Sequence, residues 1–480
     1  MIKTDFSTYR EQTQEIGTTR ETRGAIVIAE GLPGARINEV VYFEDEKVGQ
    51  IINLHKDHVE ILLFSKLAPR VGTKITRSEN TLTVPVSDTM LGKTVNPLGD
   101  YPNRKKEKTA VNTPIFQKAT GISTRTKITR SLFTGISFVD LLLPLGMGQR
   151  QLVIGDRKTG KTNFLLQTIS YQAKNAKTIC IYAAIGKKKI DIKQIQERLS
   201  KFSNTIIVQS AVDDPAGIIF LTPYTAMSIA EYFRDKGGNV LLILDDLTTH
   251  AKFYREIALL GRRFPGRNSY PGDMFYTHAR LLERAGNFNV NGKEAAITCL
   301  PVSETTQGDL SGYIQTNIMS MTDGHIFFDT NLFTKGDRPA INAFLSVTRV
   351  GHQTQSPLLR DANRELISFL TLSEKLQNYA HFGQETSQST RNTLERGKKV
   401  RLLLEQGLDE EISPQATLYV FTKIWTGVWD LKKPEEVRAE KKNTAKRFDS
   451  DKVFQLKLND IVDKSENLND FIAKLAKTNL

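Results

Sequence analysis

The stretch Gly155-Asp156-Arg157-Lys158-Thr159-Gly160-Lys161-Thr162 decides the fold of this chain, because it has the G-x-x-x-x-G-K-T spacing of a phosphate-binding loop. The apolar run Gln151-Leu152-Val153-Ile154 precedes it, and Asn163-Phe164-Leu165-Leu166 follows as the start of a predicted helix. A strand before the loop and a helix after it are the context that this motif requires. The alternative interpretation is a glycine-rich surface turn beside a basic residue.

The residue types of the loop suit the binding of a nucleoside triphosphate. Gly155 and Gly160 let the backbone turn so that consecutive N–H groups point at phosphate oxygens, beside the positive end of the helix dipole. The Lys161 ammonium can reach the β- and γ-phosphates, and the Thr162 hydroxyl can bind Mg²⁺. The loop therefore predicts a nucleotide site with Mg²⁺, built from all eight of its residues.

Length and composition indicate a multidomain protein without a membrane span. The chain has 480 residues, of which 39% are hydrophobic and 25% charged, as in ordinary globular proteins. Residues 1–24 lack the apolar segment of a signal peptide, and no apolar run is long enough to span a bilayer. Cys180 and Cys299 lie in apolar runs without C-x-x-C spacing, which predicts buried, reduced thiols. We therefore expect a cytoplasmic protein.

The net charge of +13 raises the question of a nucleic-acid partner. However, the basic residues are interspersed with acidic ones, as in Glu435-Glu436-Val437-Arg438. Scattered cations do not form the basic patch that nucleic acid requires, so no nucleic-acid partner is predicted.

Short alternating segments between Arg23 and Ser87 predict a small antiparallel β-barrel. Turn-like residues, such as Gly31-Leu32-Pro33-Gly34, separate the segments. The predicted strands are Ala25–Ile28, Glu39–Phe43, Val59–Phe64 and Thr81–Val84.

After the loop, predicted strands and helices alternate, which indicates a mostly parallel sheet with the ligand at its C-terminal edge. The predicted elements are strands Ile179–Tyr182, Thr205–Val208 and Val240–Asp245 and helices Asp191–Phe202 and Thr225–Arg234. The third strand is apolar and ends in a carboxylate, which is the Walker B pattern. It predicts that Asp245 binds Mg²⁺ through water near Thr162. From Leu358 onward, helical periodicity replaces the strand signals and predicts a helical C-terminal region.

These features together resemble the alpha subunit of F-type ATP synthase, from about Glu21 to beyond Trp429. The loop GDRKTGKT resembles the alpha form, whereas the beta subunit carries a G-x-x-G-V-G-K-T form. Further similar stretches are Ala184–Lys188, Glu231–Asp235, the long block Tyr254–Ala285, Gly336–Asn342 and Ser346–Gly351.

The resemblance implies three domains: an N-terminal β-barrel with a short polar head at 1–86, a RecA-like nucleotide-binding domain at 87–355 and a C-terminal helical domain at 356–480. It implies an alternating hexamer with beta-like catalytic subunits around a gamma-like central shaft. In that ring this chain would bind ATP or ADP with Mg²⁺ without turning it over. By the same resemblance, Arg338, Pro339 and Gln406 would lie around the adenine. Arg349 would be the arginine finger that reaches into the beta-like neighbour's catalytic site.

The sequence departs from the alpha pattern in three places. Lys187 replaces the Gln that follows Ala-x-Gly, and Leu408 replaces the second Gln after Gln406-Gly407. The polar head is short, which weakens the expectation of a docked peripheral-stalk subunit. This divergence fits an alpha-like paralogue in a rotary ATPase with a task other than ATP synthesis, as in wall-less bacteria. It equally fits an ordinary alpha subunit from a fast-evolving, A/T-rich genome.

Lys187 also bears on catalysis, because the family's catalytic chain has a carboxylate here, in a Gly-Glu-Arg after the second strand. A protonated lysine is only a donor and cannot accept a proton from the attacking water. We therefore predict a non-catalytic chain. Glu304 is the nearby carboxylate that could substitute, with a structural role as its alternative. Asp246 is expected to cap a helix.

Two other classes of ATPase share parts of the pattern and stay open as alternatives. A hexameric, RNA-dependent helicase of the transcription-termination type shares the loop and an N-terminal barrel, but lacks the Tyr254–Ala285 block and the helical C-terminal domain. A secretion or flagellar ATPase would carry a catalytic Glu at the position of Lys187.

Overall fold

The computed structural model of this chain describes residues 6–102, 110–381, 388–407 and 410–478. The chain divides into two compact units. The first unit consists of Met1–Lys127, Lys177–Thr305 and Asp309–Thr322. The second unit consists of Ile128–Ala176, Thr306–Gly308 and Asp323–Leu480.

The first unit begins with a closed antiparallel barrel of six strands in the order β1-β2-β5-β4-β3-β6, which confirms the predicted barrel. Its elements are helix α1 (Phe6–Thr13) and strands β1 (Gly17–Arg23), β2 (Ile26–Glu30), β3 (Glu39–Phe43), β4 (Val48–Leu54), β5 (Val59–Leu63) and β6 (Lys74–Thr81). Inward-facing side chains, among them Val27, Phe43, Ile51 and Ile61, fill the interior and are fully buried. Such alternation between inside and outside is what closes a small barrel around a packed core.

Three barrel strands, β1, β4 and β6, lie wholly or almost wholly outside the predicted runs. Strands β1 and β6 are polar, and Arg77 of β6 is buried against the carboxylates of Glu15, at 2.9 Å, and Glu39, at 3.3 Å. Strand β4 contains a bulge between Ile51 and Asn53, which breaks its alternation. Because of this polar pairing and the bulge, these strands lack the apolar alternation from which strands are predicted.

Short elements follow the barrel. They are β7 (Thr83–Val86), β8 (Thr94–Val95), β9 (Val111–Pro114), β10 (Ser131–Leu132), α2 (Ser137–Leu142) and β11 (Leu145–Gly146). Strand β7 pairs antiparallel with β9, and β10 pairs antiparallel with β11.

Strands and helices then alternate, as predicted. They are β12 (Leu152–Gly155), α3 (Lys161–Tyr171), β13 (Ile179–Lys187), α4 (Lys189–Leu199), β14 (Thr205–Ala211), α5 (Ala216–Asp235), β15 (Val240–Asp245), α6 (Leu247–Leu260), α7 (Met274–Leu282), β16 (Gly286–Val290), β17 (Lys293–Glu304), α8 (Tyr313–Met321), β18 (Gly324–Phe328), α9 (Thr330–Lys335) and β19 (Val347–Thr348). In the first unit, neighbours in the order β17-β15-β13-β14-β8 are parallel, and β16 is antiparallel to β17. In the second unit, β18 is parallel to β12 and antiparallel to β19.

One predicted helix differs in extent. Helix α5 begins at Ala216 rather than Thr225 and continues through Pro223. A proline normally ends a helix, which explains why the sequence pattern places the start after it. The two cysteines, Cys180 and Cys299, are buried and free, as predicted.

The C-terminal part of the second unit is helical, as predicted. Its helices are α10 (Pro357–His381), α11 (Gln388–Leu404), α12 (Pro414–Trp425), α13 (Pro434–Ser450), α14 (Lys452–Lys464) and α15 (Leu468–Lys477). Within the described ranges, no helix is both long and apolar enough to cross a bilayer.

Candidate nucleotide site

The phosphate-binding loop has the predicted strand–loop–helix context, since Gly155 ends β12 and Lys161 begins α3. A Cβ atom on Gly155 would come within 2.4 Å of the Phe328 carbonyl oxygen, so this position requires glycine. Gly160 has φ of 101°, a left-handed conformation that glycine adopts at little cost. Both glycines of the motif therefore have a structural reason, which for Gly160 is its own backbone conformation and for Gly155 is the approach of Phe328.

The Lys161 side chain folds back across the loop. Its Nζ donates hydrogen bonds to the carbonyl oxygens of Gly155, at 2.8 Å, and Asp156, at 2.5 Å. Lys161 is buried, whereas Arg157, Lys158 and Thr162 are exposed. The ammonium thus lies on the inner side of the turn, close to the backbone that would surround a phosphate.

Asp156 anchors the loop to its surroundings. Its two carboxylate oxygens each accept the Gly308 N–H at 3.0 Å, and Oδ2 also accepts the Thr330 hydroxyl at 2.8 Å. The Thr159 hydroxyl donates to the Asp156 carbonyl oxygen at 2.8 Å. Asp156 and Thr159 therefore hold the shape of the loop.

The residues predicted to surround the adenine, Arg338, Pro339 and Gln406, lie together beyond the C-terminal end of α9. This helix begins at Thr330, which contacts the loop, and six residues of helix span about 9 Å. Arg338 follows it, with its guanidinium carbon 3.7 Å from the centroid of the Phe333 ring. Pro339 comes next, and the Gln406 N–H donates to the Arg338 carbonyl oxygen at 2.7 Å.

The Gln406 side chain is buried and its amide is already engaged. Its oxygen accepts the Ser137 N–H at 3.0 Å, and its nitrogen donates to the carbonyl oxygens of Gly135, at 2.6 Å, and Glu410. Both N–H groups of this amide are used, so a hydrogen bond that it donated to a base would have to replace one of the two donated bonds. Leu408, the other position of interest here, lies outside the described residues.

In the first unit, the buried carboxylate of Asp245 forms an ion pair with the partly buried side chain of Lys187. Their strands, β15 and β13, are parallel neighbours, and the Lys187 Nζ lies 2.7 Å from Asp245 Oδ1. The Tyr182 hydroxyl donates to Oδ2. Burial, and then the charge of Asp245, raises the pKa of Tyr182 well above its usual value. Burial opposes the charge of Lys187, but Asp245 and Asp246 outweigh it and raise the lysine pKa.

Two further carboxylates complete this charged cluster. Asp246 caps α6, as predicted, because Oδ1 accepts the Thr249 N–H at 2.6 Å. Burial, opposed by the charge of Lys187, raises the Asp246 pKa to about 6. Glu304, half-buried at the end of β17, interacts electrostatically with both Lys187 and Asp246.

The partners of Asp245 were missed by the sequence interpretation. A signal did exist, because strands that alternate with helices lie parallel and their C-terminal ends meet at one edge. Lys187 is the last residue of the strand next to Asp245, and Tyr182 lies on that strand two residues before Ala184, the residue paired with Asp245.

Arg349 directly follows β19 and has an anchored backbone. Its N–H donates to the Asp323 carbonyl oxygen at 2.9 Å, and the Asp323 carboxylate is held by Arg150 Nη2 at 2.9 Å. The Arg349 side chain is exposed, and its guanidinium forms no hydrogen bond or ion pair with any residue that the structure describes. A fixed backbone thus presents an available guanidinium.

Comparison with known proteins identifies the family. The profile "ATP synthase alpha/beta family, nucleotide-binding domain" matches residues 135–348, and "ATP synthase alpha/beta chain, C terminal domain" matches residues 355–478. "ATP synthase subunit alpha" of Neorickettsia sennetsu is 38% identical over 90% of this chain and 87% of its own length. The protein of the same name from Mycoplasma pneumoniae is 39% identical over 85% of this chain and 80% of its own length. "ATP synthase subunit alpha 2" of Syntrophus aciditrophicus is 40% identical over 83% of this chain and 77% of its own length.

The matches confirm the predicted fold class, with the matched nucleotide-binding domain between the barrel and the helical C-terminal region. They also agree with the loop geometry, since both indicate a nucleotide-binding protein. The chain belongs to the ATP synthase alpha/beta family and is, within it, an F-type ATPase chain of the alpha-subunit type.

Proposed function

We propose that this chain is a non-catalytic, nucleotide-binding alpha-like subunit of an F-type rotary ATPase head. It binds ATP or ADP with Mg²⁺ and supplies Arg349 to the catalytic site of a beta-like neighbour. One observation carries the non-catalytic role. Lys187 occupies the position where catalysis requires a base, and its Nζ forms an ion pair of 2.7 Å with Asp245.

The loop residues fit the nucleotide and its metal. Gly155 and Gly160 keep the turn clear of side-chain atoms, and Lys161 supplies the positive charge for the phosphates. The Thr162 hydroxyl is exposed in the first turn of α3 and suits Mg²⁺ as a direct ligand. Asp245 accepts one protein donor on each oxygen, so each keeps a lone pair for a water of the Mg²⁺ shell. When bound, Mg²⁺ would neutralise charge on the phosphates.

Removing the loop ammonium tests the nucleotide site. We expect Lys161→Ala to weaken the binding of Mg-ATP by about tenfold to a hundredfold, the effect of losing hydrogen bonds to a charged group. The measurement is a titration of the folded, nucleotide-free chain with a fluorescent ATP analogue. Lys193→Ala, which removes an exposed lysine from α4, is the matched control and should bind like the parent. Equal affinity of Lys161→Ala and parent would refute the site.

The charge of Lys187 supports the absence of catalysis in this chain. Its raised pKa keeps the ammonium protonated at neutral pH, so it can donate to Asp245 but cannot accept a proton from water. Glu304 is the carboxylate left in this cluster, and its own N–H donates to the Thr248 hydroxyl at 3.0 Å. We assign Glu304 an electrostatic role beside Lys187 rather than that of a base.

Hydrolysis by the isolated chain tests this assignment. We expect the purified chain to show no steady ATP turnover above a buffer blank, because it lacks a group that positions the attacking water. The measurement is phosphate release with Mg-ATP in excess, and Glu304→Gln serves as the paired variant. Steady turnover by the parent that disappears in Glu304→Gln would show that Glu304 is a catalytic base.

The proposed partners follow from the family and from Arg349. An exposed guanidinium on an anchored backbone suits a group that acts in a neighbouring subunit. We infer an alternating hexamer with beta-like subunits around a gamma-like shaft, in the cytoplasm, with indirect contact to a membrane and with a peripheral-stalk subunit or other machinery attached. The domain boundaries 1–86, 87–355 and 356–480 are part of this proposal. Mass spectrometry of co-purified chains tests the partners.

Nothing specific favours the two alternative ATPase classes. The three relatives described are named ATP synthase alpha subunits, and Lys187 occupies the place where a secretion or flagellar ATPase carries its catalytic Glu. Stimulation of ATPase activity by RNA would instead indicate the helicase class.

A further inference from the structure

The hairpin between β4 and β5 carries two histidines and a glutamate on its tip. Its loop has two residues, Lys56 and Asp57, and the His55 N–H donates to the His58 carbonyl oxygen at 2.9 Å. His55 and His58 therefore face each other across the hairpin, with Glu60 two residues beyond His58. This group of three residues, the hairpin cluster, lies in the barrel and has no part in the nucleotide site.

A β-bulge places these side chains on one face. Strand β5 points Val59 and Ile61 into the barrel, so Glu60 and His58 point outward. In β4, Ile51 also points inward, and regular alternation would send Asn53 and His55 inward as well. The extra residue at Ile52 shifts the register, so that Asn53 pairs with Glu60. The bulge thereby brings His55 to the outer face beside His58 and Glu60.

The spacing of the three ligand atoms suits a small divalent cation. His55 Nε2 lies 3.3 Å from Glu60 Oε1, and one ligand atom from each residue lies within 4.8 Å of the others. Two ligands of a tetrahedral zinc ion with bonds of 2.0–2.1 Å are separated by about 3.3 Å. The two imidazole rings stack with centroids 4.3 Å apart, so binding one ion would require the ring of the exposed His55 to turn relative to that of His58.

A supporting residue holds the glutamate. The Asn53 Nδ2 donates to Glu60 Oε2 at 2.6 Å, which leaves Oε1 directed at His55. Glu60 is buried, with 5% of its surface exposed, so its carboxylate is held in place before any ion arrives. Metal-binding carboxylates are commonly oriented by such hydrogen bonds, and losing one typically weakens metal affinity about tenfold to a hundredfold.

We propose that the hairpin cluster binds a transition-metal dication of the zinc class through His55, His58 and Glu60. Two imidazole nitrogens and one carboxylate oxygen are the donor set of zinc sites, whereas Mg²⁺ prefers oxygen ligands alone. The exposure of His55 leaves the fourth position open to water.

Zinc binding by the full-length chain tests the proposal. The protein should be untagged and nucleotide-free, because polyhistidine and ATP both bind zinc, and Zn²⁺ is titrated in competition with a chromophoric chelator. We expect one Zn²⁺ per chain, undiminished by millimolar Mg²⁺. His55→Gln and His58→Gln should each weaken binding about a hundredfold or more, and Asn53→Leu about tenfold to a hundredfold.

The matched control is His352→Gln, which removes a half-buried histidine from the turn Gly351–Thr354 in the second unit. It should bind Zn²⁺ like the parent. Circular dichroism of each variant reports folding, and His55 is exposed, so its replacement should leave the fold intact. Unchanged affinity in the folded His55→Gln protein, or equal losses in His352→Gln, would overturn the proposal.

Discussion

A ring assembled with Arg349→Lys should form and bind nucleotide, yet hydrolyse ATP about a hundredfold or more slowly than the parent ring. Arginine fingers contribute roughly a thousandfold to a hundred-thousandfold to phosphoryl transfer. The guanidinium can meet two developing negative oxygens at once, whereas the ammonium of lysine is a single compact charge. Because the proposed finger would act in a neighbouring subunit, turnover would also depend on ring assembly.

The measurement compares ATPase rates of rings reconstituted with the two versions of this chain. Size-exclusion chromatography and nucleotide titration check assembly and binding in the same samples. Arg364→Lys is the control, because Arg364 is an exposed arginine of α10 that pairs with Asp361 and Glu365 of its own helix. If the Arg349→Lys ring turns over near the parent rate, Arg349 is a structural residue.

The second large effect concerns stability. Glu231→Gln should lower the free energy of unfolding by about 3–5 kcal/mol, because it leaves the buried Arg284 charge without its counterion. Arg284 is 1% exposed, and its guanidinium donates to both Glu231 oxygens, at 2.6 and 3.0 Å. It also donates to the Ile115 carbonyl oxygen and the Ser228 hydroxyl. The glutamine keeps the size of the side chain but loses the charge.

Urea unfolding followed by circular dichroism measures this loss. Glu435→Gln makes the same chemical change at an exposed position in the first turn of α13, where surface substitutions change stability by about 0.5 kcal/mol at most. Matching unfolding midpoints for Glu231→Gln and Glu435→Gln would mean that Arg284 does not depend on the Glu231 charge.

The phosphate-binding loop has the structure that its sequence predicts. Its spacing and its flanking strand and helix are local properties, so the sixteen residues from Gln151 to Leu166 were enough to predict them. The apolar alternation of β3 and β5 and the Walker B strand β15 were predictable for the same reason. Polar strands such as β1 and β6 were not, because their stability comes from pairing with residues far away in sequence, as in the contact of Arg77 with Glu15.

In the candidate site, too, local features were predictable from the sequence, whereas contacts between distant residues were not. The sequence by itself determined that a nucleotide-binding loop exists, that Lys187 replaces the expected glutamine and that Arg349 lies within a short family motif. Only the tertiary structure decided that Lys187 neutralises Asp245, that the Gln406 amide is occupied by Ser137 and Gly135, and that a bulge brings His55 to Glu60. The physical reason is that each of these contacts joins separate strands or segments. Their distances depend on the packing and register of those elements, which local residue patterns do not encode.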